Sequence, residues 1–123
     1  MNDSLRYPIA VSVAMGKDRR IRLPRFLEIA TPYVLVENAL AGQAWFGFCA
    51  LDSLAHRMVE CDSLRVIAEY RTRRPTIPKA ACDRHGLLGS TSIWLVSTGG
   101  NIEVLSESAW QTAAPYCTTE DFI

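Results

Sequence analysis

The chain has 123 residues, 49% of them hydrophobic and 21% charged, and its 13 cations and 13 acids balance to a formal net charge of zero. This composition excludes an intrinsically disordered chain, and the length suits a single compact domain. No apolar run approaches the roughly 18 residues of a membrane-spanning helix, so we expect no membrane partner. The N-terminus lacks the pattern of a secretory signal peptide, so we expect a cytoplasmic location.

The first half of the chain alternates predicted strands with short predicted helices. Residues 7–14 alternate like a strand, and after a polar connection at 16–18 the extended stretch RIRL is expected to fold back as a hairpin. Pro24 suits the first turn of a short helix, RFLEIA. A β pair, YVLVEN and QAWFGFCAL, and a helix, LDSLAHRMVE, complete this half.

The second half repeats this order of elements. The strand SLRVIAEY leads through Arg71 and Thr72 to the extended stretch RPTI, which again predicts a hairpin. Pro78 begins a helix, KAACDRHGL, that Gly86 is expected to end. The strands SIWLVST and NIEVLS are joined by a glycine turn, and a helix, SESAWQTAA, follows with Ser106 as its cap.

A seven-residue pattern, Arg-Arg-x-x-(Leu/Ile)-Pro-(Arg/Lys), marks the duplication. It occurs at residues 19–25 and again, 54 positions later, at residues 73–79. We predict a single α+β domain, mainly β with short helices, made of two repeats at about residues 7–60 and 64–113 and followed by a flexible tail at about 114–123. Because neither repeat has enough apolar surface to be stable alone, we expect their strands to interlock around one core.

The two copies of the pattern also hold most of the positive charge. Residues 17–25 contain five cations and one acid, and residues 71–79 contain four cations and no acid, so the remaining 4 cations face 12 acids. Clustered arginines suit phosphate groups and guanine edges, whereas the simpler alternative is a solvated surface that pairs with acids elsewhere. The residues predicted to bind DNA are Lys17, Arg19, Arg20, Arg22, Arg25, Arg71, Arg73, Arg74 and Lys79.

About 40 residues of the second half resemble the repeat of the MraZ and AbrB group of bacterial transcription regulators. The matching positions are Arg74, Ile77, Pro78, Gly86, Leu87, 93–96, Gly99, Gly100, 102–105, Glu107 and Trp110, and the first half matches more weakly through Arg20, Leu23, Pro24 and 46–51. The resemblance implies a swapped-hairpin AbrB-like barrel built from both repeats, which presents its arginines to double-stranded DNA as a transcription regulator. We also expect the chain to form a homo-oligomer.

The chain departs from this family at one feature of each copy. An acid and a glycine that the family has near the key arginine are replaced by Gly16 and Arg19 in the first copy and by Tyr70 and Arg73 in the second. The alternative function is therefore a non-catalytic protein-interaction or oligomerisation module that kept the barrel and lost DNA binding. An antitoxin-like regulator ranks third, because the chain offers no long disordered segment to wrap a toxin.

The remaining chemistry-bearing residues predict no metal site, no cofactor and no enzyme. Cys49, Cys61, Cys82 and Cys117 form no CxxC pair, and the Cys82 and His85 pair has no second pair to complete a zinc site. The GxSxG, GxxxxGK and HExxH motifs are all missing. The aromatic residues of the apolar strands are expected to pack in the core rather than to stack on bases; they are Trp45, Phe46, Phe48, Trp94 and Trp110.

Overall fold

The computed structural model describes residues 9–38, 45–52, 64–97 and 101–113. Six antiparallel strands form one sheet: β1 (Ile9–Ala14), β2 (Tyr33–Asn38), β3 (Phe46–Ala50), β4 (Leu64–Tyr70), β5 (Ser92–Ser97) and β6 (Asn101–Leu105). Two short helices lie wholly within these ranges, α1 (Lys79–Arg84) and α2 (Glu107–Ala113). The predicted α+β class, mainly β with short helices, is confirmed. No helix within these ranges has the length and apolar character needed to cross a membrane.

The strand order of the sheet is β1-β5-β6-β3-β2-β4. Each half contributes its opening strand to the other half, since β1 pairs with β5 while β4 pairs with β2. The strands β3 and β6 join the halves at the centre. Exchanging each strand with its equivalent in the other half, β1 with β4, β2 with β5 and β3 with β6, gives the same order read from the opposite edge of the sheet. The sheet is not closed, and β1 and β4 form its two edges.

Two contacts place an approximate two-fold axis between the halves. In the centre of the sheet Phe48 lies opposite Ile102, which follows it by 54 positions. Away from the sheet, the N–H of Ile21 donates to the carbonyl of Pro75, again 54 positions later. This separation equals the offset of the repeated pattern, so equivalent residues face each other at both places.

The main core lies on one face of the sheet, and a smaller cluster of Val34, Val36 and Cys49 is buried on the other face of β2 and β3. The period of two along β5 and β6 explains which of their residues enter the main core. Ile93, Leu95, Ile102 and Val104 are buried while the residues between them are partly exposed on the other face. Phe46 and Phe48 are buried as predicted. The tryptophans are less buried than predicted. Trp45 is partly buried against the smaller cluster, and Trp94 and Trp110 are half-buried and stack on each other, with ring centroids 4.3 Å apart, where α2 packs on the outer face of β5 and β6.

Both predicted helix signals of the second half are confirmed. Gly86 has a φ of 71°, and the N–H of Leu87 donates to the carbonyl of Cys82 over 2.7 Å, which closes α1 with a Schellman motif. Ser106 caps α2, since its hydroxyl accepts the N–H of Ala109 over 3.1 Å. These short polar and glycine signals act locally, which is why the residue pattern alone predicts them.

The helix predicted over RFLEIA is wrong. This segment makes a single turn, in which the N–H of Leu27 donates to the carbonyl of Pro24. Thr31 precedes Pro32, and a residue before proline is disfavoured in helical conformation, so too few residues remain to sustain a helix. Three further predictions lie outside the described residues: most of the helix LDSLAHRMVE, the turn at residues 98–100 and the flexible tail at 114–123.

Candidate nucleic-acid interface

The two copies of the arginine pattern lie side by side as a two-stranded antiparallel ribbon. The N–H of Leu23 donates to the carbonyl of Arg73 over 2.9 Å, and the N–H of Ile77 donates to the carbonyl of Arg19 over 3.0 Å. Arg20 lies opposite Thr76 in the same register. We call residues 19–23 and 73–77 the basic ribbon. The two predicted hairpins are thus replaced by one ribbon, because each extended stretch pairs with the other copy instead of with its own opening strand.

Alternation along the basic ribbon separates its apolar and basic residues. Ile21, Leu23 and Ile77 are at most 2% exposed and belong to the main core cluster, so burial of these side chains holds the ribbon against the sheet. The residues between them face outward, and the register that sets Arg20 opposite Thr76 also sets Arg22 opposite Arg74. Three exposed guanidinium groups therefore share one face of the ribbon, namely those of Arg20, Arg22 and Arg74.

The first arginine of each pair points the other way and binds the protein itself. Arg19 is half-buried, and its Nε donates to the carbonyl of Ile77 over 3.0 Å. Arg73 is its equivalent in the second copy, and Nη2 of Arg73 donates to the carbonyls of Pro24 and Leu27 over 2.5 and 2.6 Å. Each side chain thus ties its own strand to the proline segment of the other copy. These two predicted site residues are therefore half-buried and hydrogen-bonded within the protein, unlike the exposed Arg20 and Arg74.

The other predicted cations surround the basic ribbon. Arg22, Arg25, Arg73 and Arg74 line a shallow cleft of about 210 Å³. Among the described residues, these cations form two ion pairs, both with exposed acids, at 3.9 Å between Arg20 and Asp18 and at 3.4 Å between Arg71 and Glu69, and such pairs are worth little in water. Within the described ranges, the remaining exposed cations of the site have no carboxylate at ion-pairing distance. They are Lys17, Arg22, Arg25, Arg74 and Lys79.

Two tyrosines, absent from the predicted site, position the second strand of the ribbon. The hydroxyl of Tyr33 donates to the carbonyl of Thr72 over 2.6 Å, and the hydroxyl of Tyr70 donates to the carbonyl of Thr76 over 2.7 Å. Burial raises the pKa of both phenols, that of Tyr70 to about 12, so both remain protonated donors at neutral pH. The sequence signal was a tyrosine at one end of each of two apolar strands, where an amphipathic ring suits a buried body with a hydrogen-bonded tip.

Two further arginines bind the buried carboxylate of Glu37, a group that the sequence did not indicate. Glu37 is 4% exposed at its side chain and accepts hydrogen bonds from Arg84 over 3.1 Å, from His85 over 2.8 Å and from Arg65 over 3.1 Å. Burial raises the pKa of this carboxyl, but the bonds from Arg65, His85 and Arg84 outweigh burial and bring it down to about 2. The Glu37 cluster, defined by these four residues, therefore joins β2, β4 and the end of α1 with an ionised centre.

Cys82 and His85, the pair that the sequence offers for a metal, are both engaged otherwise. Cys82 is buried, burial raises the pKa of its thiol, and His85 is engaged with Glu37. Among the residues that the structure describes, no three His, Cys, Asp or Glu side chains are grouped so as to hold an ion. Comparison of the chain with models of known families, with curated proteins and with solved structures finds no match.

Proposed function

We propose that the protein is a DNA-binding transcriptional regulator that presents the basic ribbon to the major groove of a duplex. The observation that carries this proposal is the shared outward face of Arg20, Arg22 and Arg74 on a two-stranded ribbon. The major groove of B-DNA, about 12 Å wide, admits a two-stranded β-ribbon, and an arginine can bind O6 and N7 of guanine through two hydrogen bonds. A rigid ribbon with three such groups suits this groove.

The distribution of charge supports the same proposal. The two basic windows hold 9 of the 13 cations, and the rest of the chain carries 4 cations against 12 acids. Cations without carboxylate partners attract phosphates, whereas an acidic remainder is repelled by the duplex, so the two together orient the approach. In this arrangement the flanking cations bind phosphate oxygens and set the register; they are Lys17, Arg25, Arg71 and Lys79.

The proposal includes the finer architecture. The exchange of opening strands between the halves, with β1 on β5 and β4 on β2, is the pairing that a swapped-hairpin arrangement requires. We therefore infer an AbrB-like two-repeat fold similar to that of MraZ, acting on the nucleoid in the cytoplasm. Arg19 and Arg73 serve this site as positioning residues, because each fixes the strand that carries an exposed neighbour, Arg20 or Arg74.

The test is the salt dependence of duplex binding. Fluorescence anisotropy of a labelled mixed-sequence duplex is measured with the full chain at ionic strengths from about 50 to 200 mM. Binding should weaken linearly in log-log form with a slope of about 0.9 per phosphate contact. On a mixed-sequence duplex no guanine is fixed opposite the ribbon, so Arg20 and Arg74 lie against phosphates, and the double variant Arg20→Gln, Arg74→Gln should reduce that slope by about 2 and lower affinity at low salt.

A matched control separates the ribbon from net charge. The double variant Ser12→Glu, Thr112→Glu makes the same change in formal charge at two exposed positions outside the ribbon. It should leave the slope within experimental error. The proposal fails if the unmodified chain shows no salt-sensitive binding to any duplex, or if the control variant weakens binding as much as the ribbon variant does.

A specific observation favours the alternative function, a protein-interaction or oligomerisation module. Val66 is 43% exposed on the edge strand β4, and an open edge with an apolar side chain can pair with a strand of another chain. Sedimentation of the full chain distinguishes the two functions. A concentration-dependent homo-oligomer that Val66→Lys dissolves, together with no duplex binding, supports the module; duplex binding that survives Val66→Lys supports the regulator.

A further inference from the structure

The two ends of the basic ribbon carry different charges, although the repeated pattern makes them equivalent. One end holds the shallow cleft of about 210 Å³, which we call the arginine cleft, and its lining residues are Arg22, Leu23, Arg25, Arg73 and Arg74. At the other end, the positions 54 residues away hold Thr76, Ile77, Lys79, Arg19 and Arg20, in the same order. Four cations therefore belong to the first end and three to the second.

The turn that leads into the two ends makes the same backbone contact through different side chains. Oδ1 of Asp18 accepts the N–H of Arg20 over 3.2 Å, and Oγ1 of Thr72 accepts the N–H of Arg74 over 3.3 Å. Asp18 and Thr72 are 54 positions apart, so they occupy equivalent places. The arginine cleft therefore has a neutral hydroxyl group where the other end has a carboxylate.

This exchange leaves the charge of the arginine cleft without a counter-ion. At the other end, the carboxylate of Asp18 lies 3.9 Å from Nε of Arg20, which also donates to Oγ1 of Thr76 over 3.4 Å. Within the described ranges, none of the four guanidinium groups of the arginine cleft lies at ion-pairing distance from a carboxylate. Like charges around one cleft repel each other, so an anion between them stabilises the folded chain.

Arg73 lies at the floor of the cleft and cannot move away from this repulsion. Leu23 beside it is only 1% exposed, and Nη2 of Arg73 is held by the carbonyls of Pro24 and Leu27. Nε of Arg73 is buried, and no described group accepts a hydrogen bond from it. A half-buried charge without an acid is unfavourable, and an anion in the cleft offsets it without having to reach Nε. The exposed guanidinium groups at the mouth can donate to that anion; they are Arg22, Arg25 and Arg74.

We propose that the arginine cleft binds one dianionic phosphate group, either inorganic phosphate or the terminal phosphate of a small monoester. A phosphate monoester has a second pKa of about 6, so it carries nearly two negative charges at about pH 7.5. Arginine can donate two parallel N–H groups to phosphate oxygens. The cleft is smaller than the roughly 300 Å³ at which drug-sized sites begin, so it suits a single phosphate group. The equivalent end, where Asp18 supplies a negative charge, does not bind this group.

The test is an NMR titration of the full chain. Inorganic phosphate, methyl phosphate and dimethyl phosphate are added in turn at about pH 7.5, and sodium chloride is adjusted to keep the ionic strength constant. Amide shifts caused by inorganic phosphate should saturate and should concentrate at residues 22–27 and 72–74, with no saturable shifts at residues 18–20 and 76–79. Dimethyl phosphate, a diester with one charge, should bind about tenfold more weakly.

The monoester identifies the source of the phosphate group. Methyl phosphate that binds as tightly as inorganic phosphate identifies the terminal phosphate of a small monoester as the ligand. Weaker binding of methyl phosphate identifies the free ion. Dimethyl phosphate that binds as tightly as inorganic phosphate overturns the proposal, because the cleft would then accept a diester such as that of a nucleic-acid backbone.

The first pair of variants tests the missing acid. Thr72→Asp keeps an acceptor for the N–H of Arg74 and adds the carboxylate that the equivalent position has, so it should weaken phosphate binding about tenfold. Thr112→Asp makes the same change at an exposed position of α2 and should leave binding within about twofold.

The second pair tests the two ends of the ribbon directly. Arg25→Gln should weaken phosphate binding about tenfold, whereas Lys79→Gln, at the equivalent exposed position, should leave it within about twofold. Four residues separate the ends, about 13 Å along a strand, which exceeds the Debye length of about 8 Å at physiological ionic strength. Shifts that do not saturate, saturation at both ends, or equal effects of a variant and its control overturn the proposal.

A consequence for duplex binding rests on the proposed function. Arg22 and Arg74 belong both to the arginine cleft and to the outward face of the basic ribbon. Saturating phosphate should therefore weaken duplex binding, measured by fluorescence anisotropy, more than sodium chloride at the same ionic strength does. Equal effects of the two salts, or the absence of any duplex binding, overturn this consequence, whereas the NMR titration alone decides whether the cleft binds phosphate.

Discussion

The basic ribbon and the Glu37 cluster use arginine in opposite ways. In the cluster, Arg65 and Arg84 converge on one buried carboxylate. On the ribbon, Arg22 and Arg74 face solvent and form no ion pair with any described residue. The difference follows from the buried carboxylate of Glu37, which lies within reach of Arg65 and Arg84, whereas no described carboxylate lies within reach of Arg22 or Arg74. Charge counts alone do not separate the two uses.

Within the ribbon the same contrast appears between neighbours in the chain. Arg19 and Arg73 donate to backbone carbonyls, and Arg20 and Arg74, one position later, point outward. Successive residues of a strand face opposite sides, so the first arginine of each pair points toward the protein interior and the second points toward solvent. Substitutions can break or sharpen this contrast, and their expected effects on the free energy of unfolding decrease in the following order.

The largest effect is expected from Glu37→Gln. The folded pKa of about 2 lies below the ordinary value of 4.5, which corresponds to about 3 kcal/mol of stability at neutral pH. Because the folded pKa is depressed, this contribution is present above pH 4.5 and is lost as the pH falls toward 2. Urea unfolding between pH 7 and pH 2 should show this loss in the unmodified chain and not in the variant. Parallel pH profiles would contradict the assignment.

The next effect is expected from Arg73→Ala. This change removes two charge-assisted hydrogen bonds to the carbonyls of Pro24 and Leu27 and should cost about 2 kcal/mol. The matched control is Arg74→Ala, at the exposed neighbour, which should change stability by no more than about 0.5 kcal/mol. Urea unfolding at pH 7 measures both. Equal losses for the two variants would show that the inward and outward arginines contribute equally to the free energy of unfolding.

A smaller effect is expected from Tyr33→Phe. The ring stays in the core, but the carbonyl of Thr72 loses its donor, at a cost of about 1 kcal/mol. Hydrogen exchange should become faster at the amides of the ribbon, above all at Ile77, whose N–H bonds to Arg19. If exchange is unchanged there while global stability falls, the tyrosine supports the core and not the ribbon.

The smallest effect on stability is expected from the double variant Arg20→Gln, Arg74→Gln. Both side chains are exposed and are paired at most with exposed partners, so the free energy of unfolding should change by about 0.5 kcal/mol or less. Thermal unfolding followed by circular dichroism checks this. A large loss of stability would mean that any change in duplex binding by this variant reflects damage to the fold.

Local signals account for the parts of the fold that could be predicted from sequence. Alternation indicates the strands, and Gly86 and Ser106 mark the end of one helix and the start of another, because each acts on residues within a few positions. Pairing of residues 19–23 with residues 73–77 is a contact across 54 positions, and no local pattern selects it over a hairpin. Long-range pairing depends on which apolar faces meet in the core.

The candidate site was predictable in composition and not in geometry. The nine cations follow from the charge count, and contact of any of them with DNA remains a prediction. Their division into inward and outward side chains required the register of the ribbon. Glu37 was one acid in an apolar strand, and its partners lie 28, 47 and 48 positions away, so nothing near it in the chain indicated an ionic centre.

The two-fold axis that passes between Ile21 and Pro75 lies inside a single polypeptide. In a symmetric pair of identical subunits every substitution appears on both sides of the axis, whereas here it appears on one side. The two halves already differ at equivalent positions, since Arg22 is matched across the axis by Thr76 and Arg25 by Lys79. Its two halves can therefore diverge independently, and a partner that fits them need not itself be symmetric.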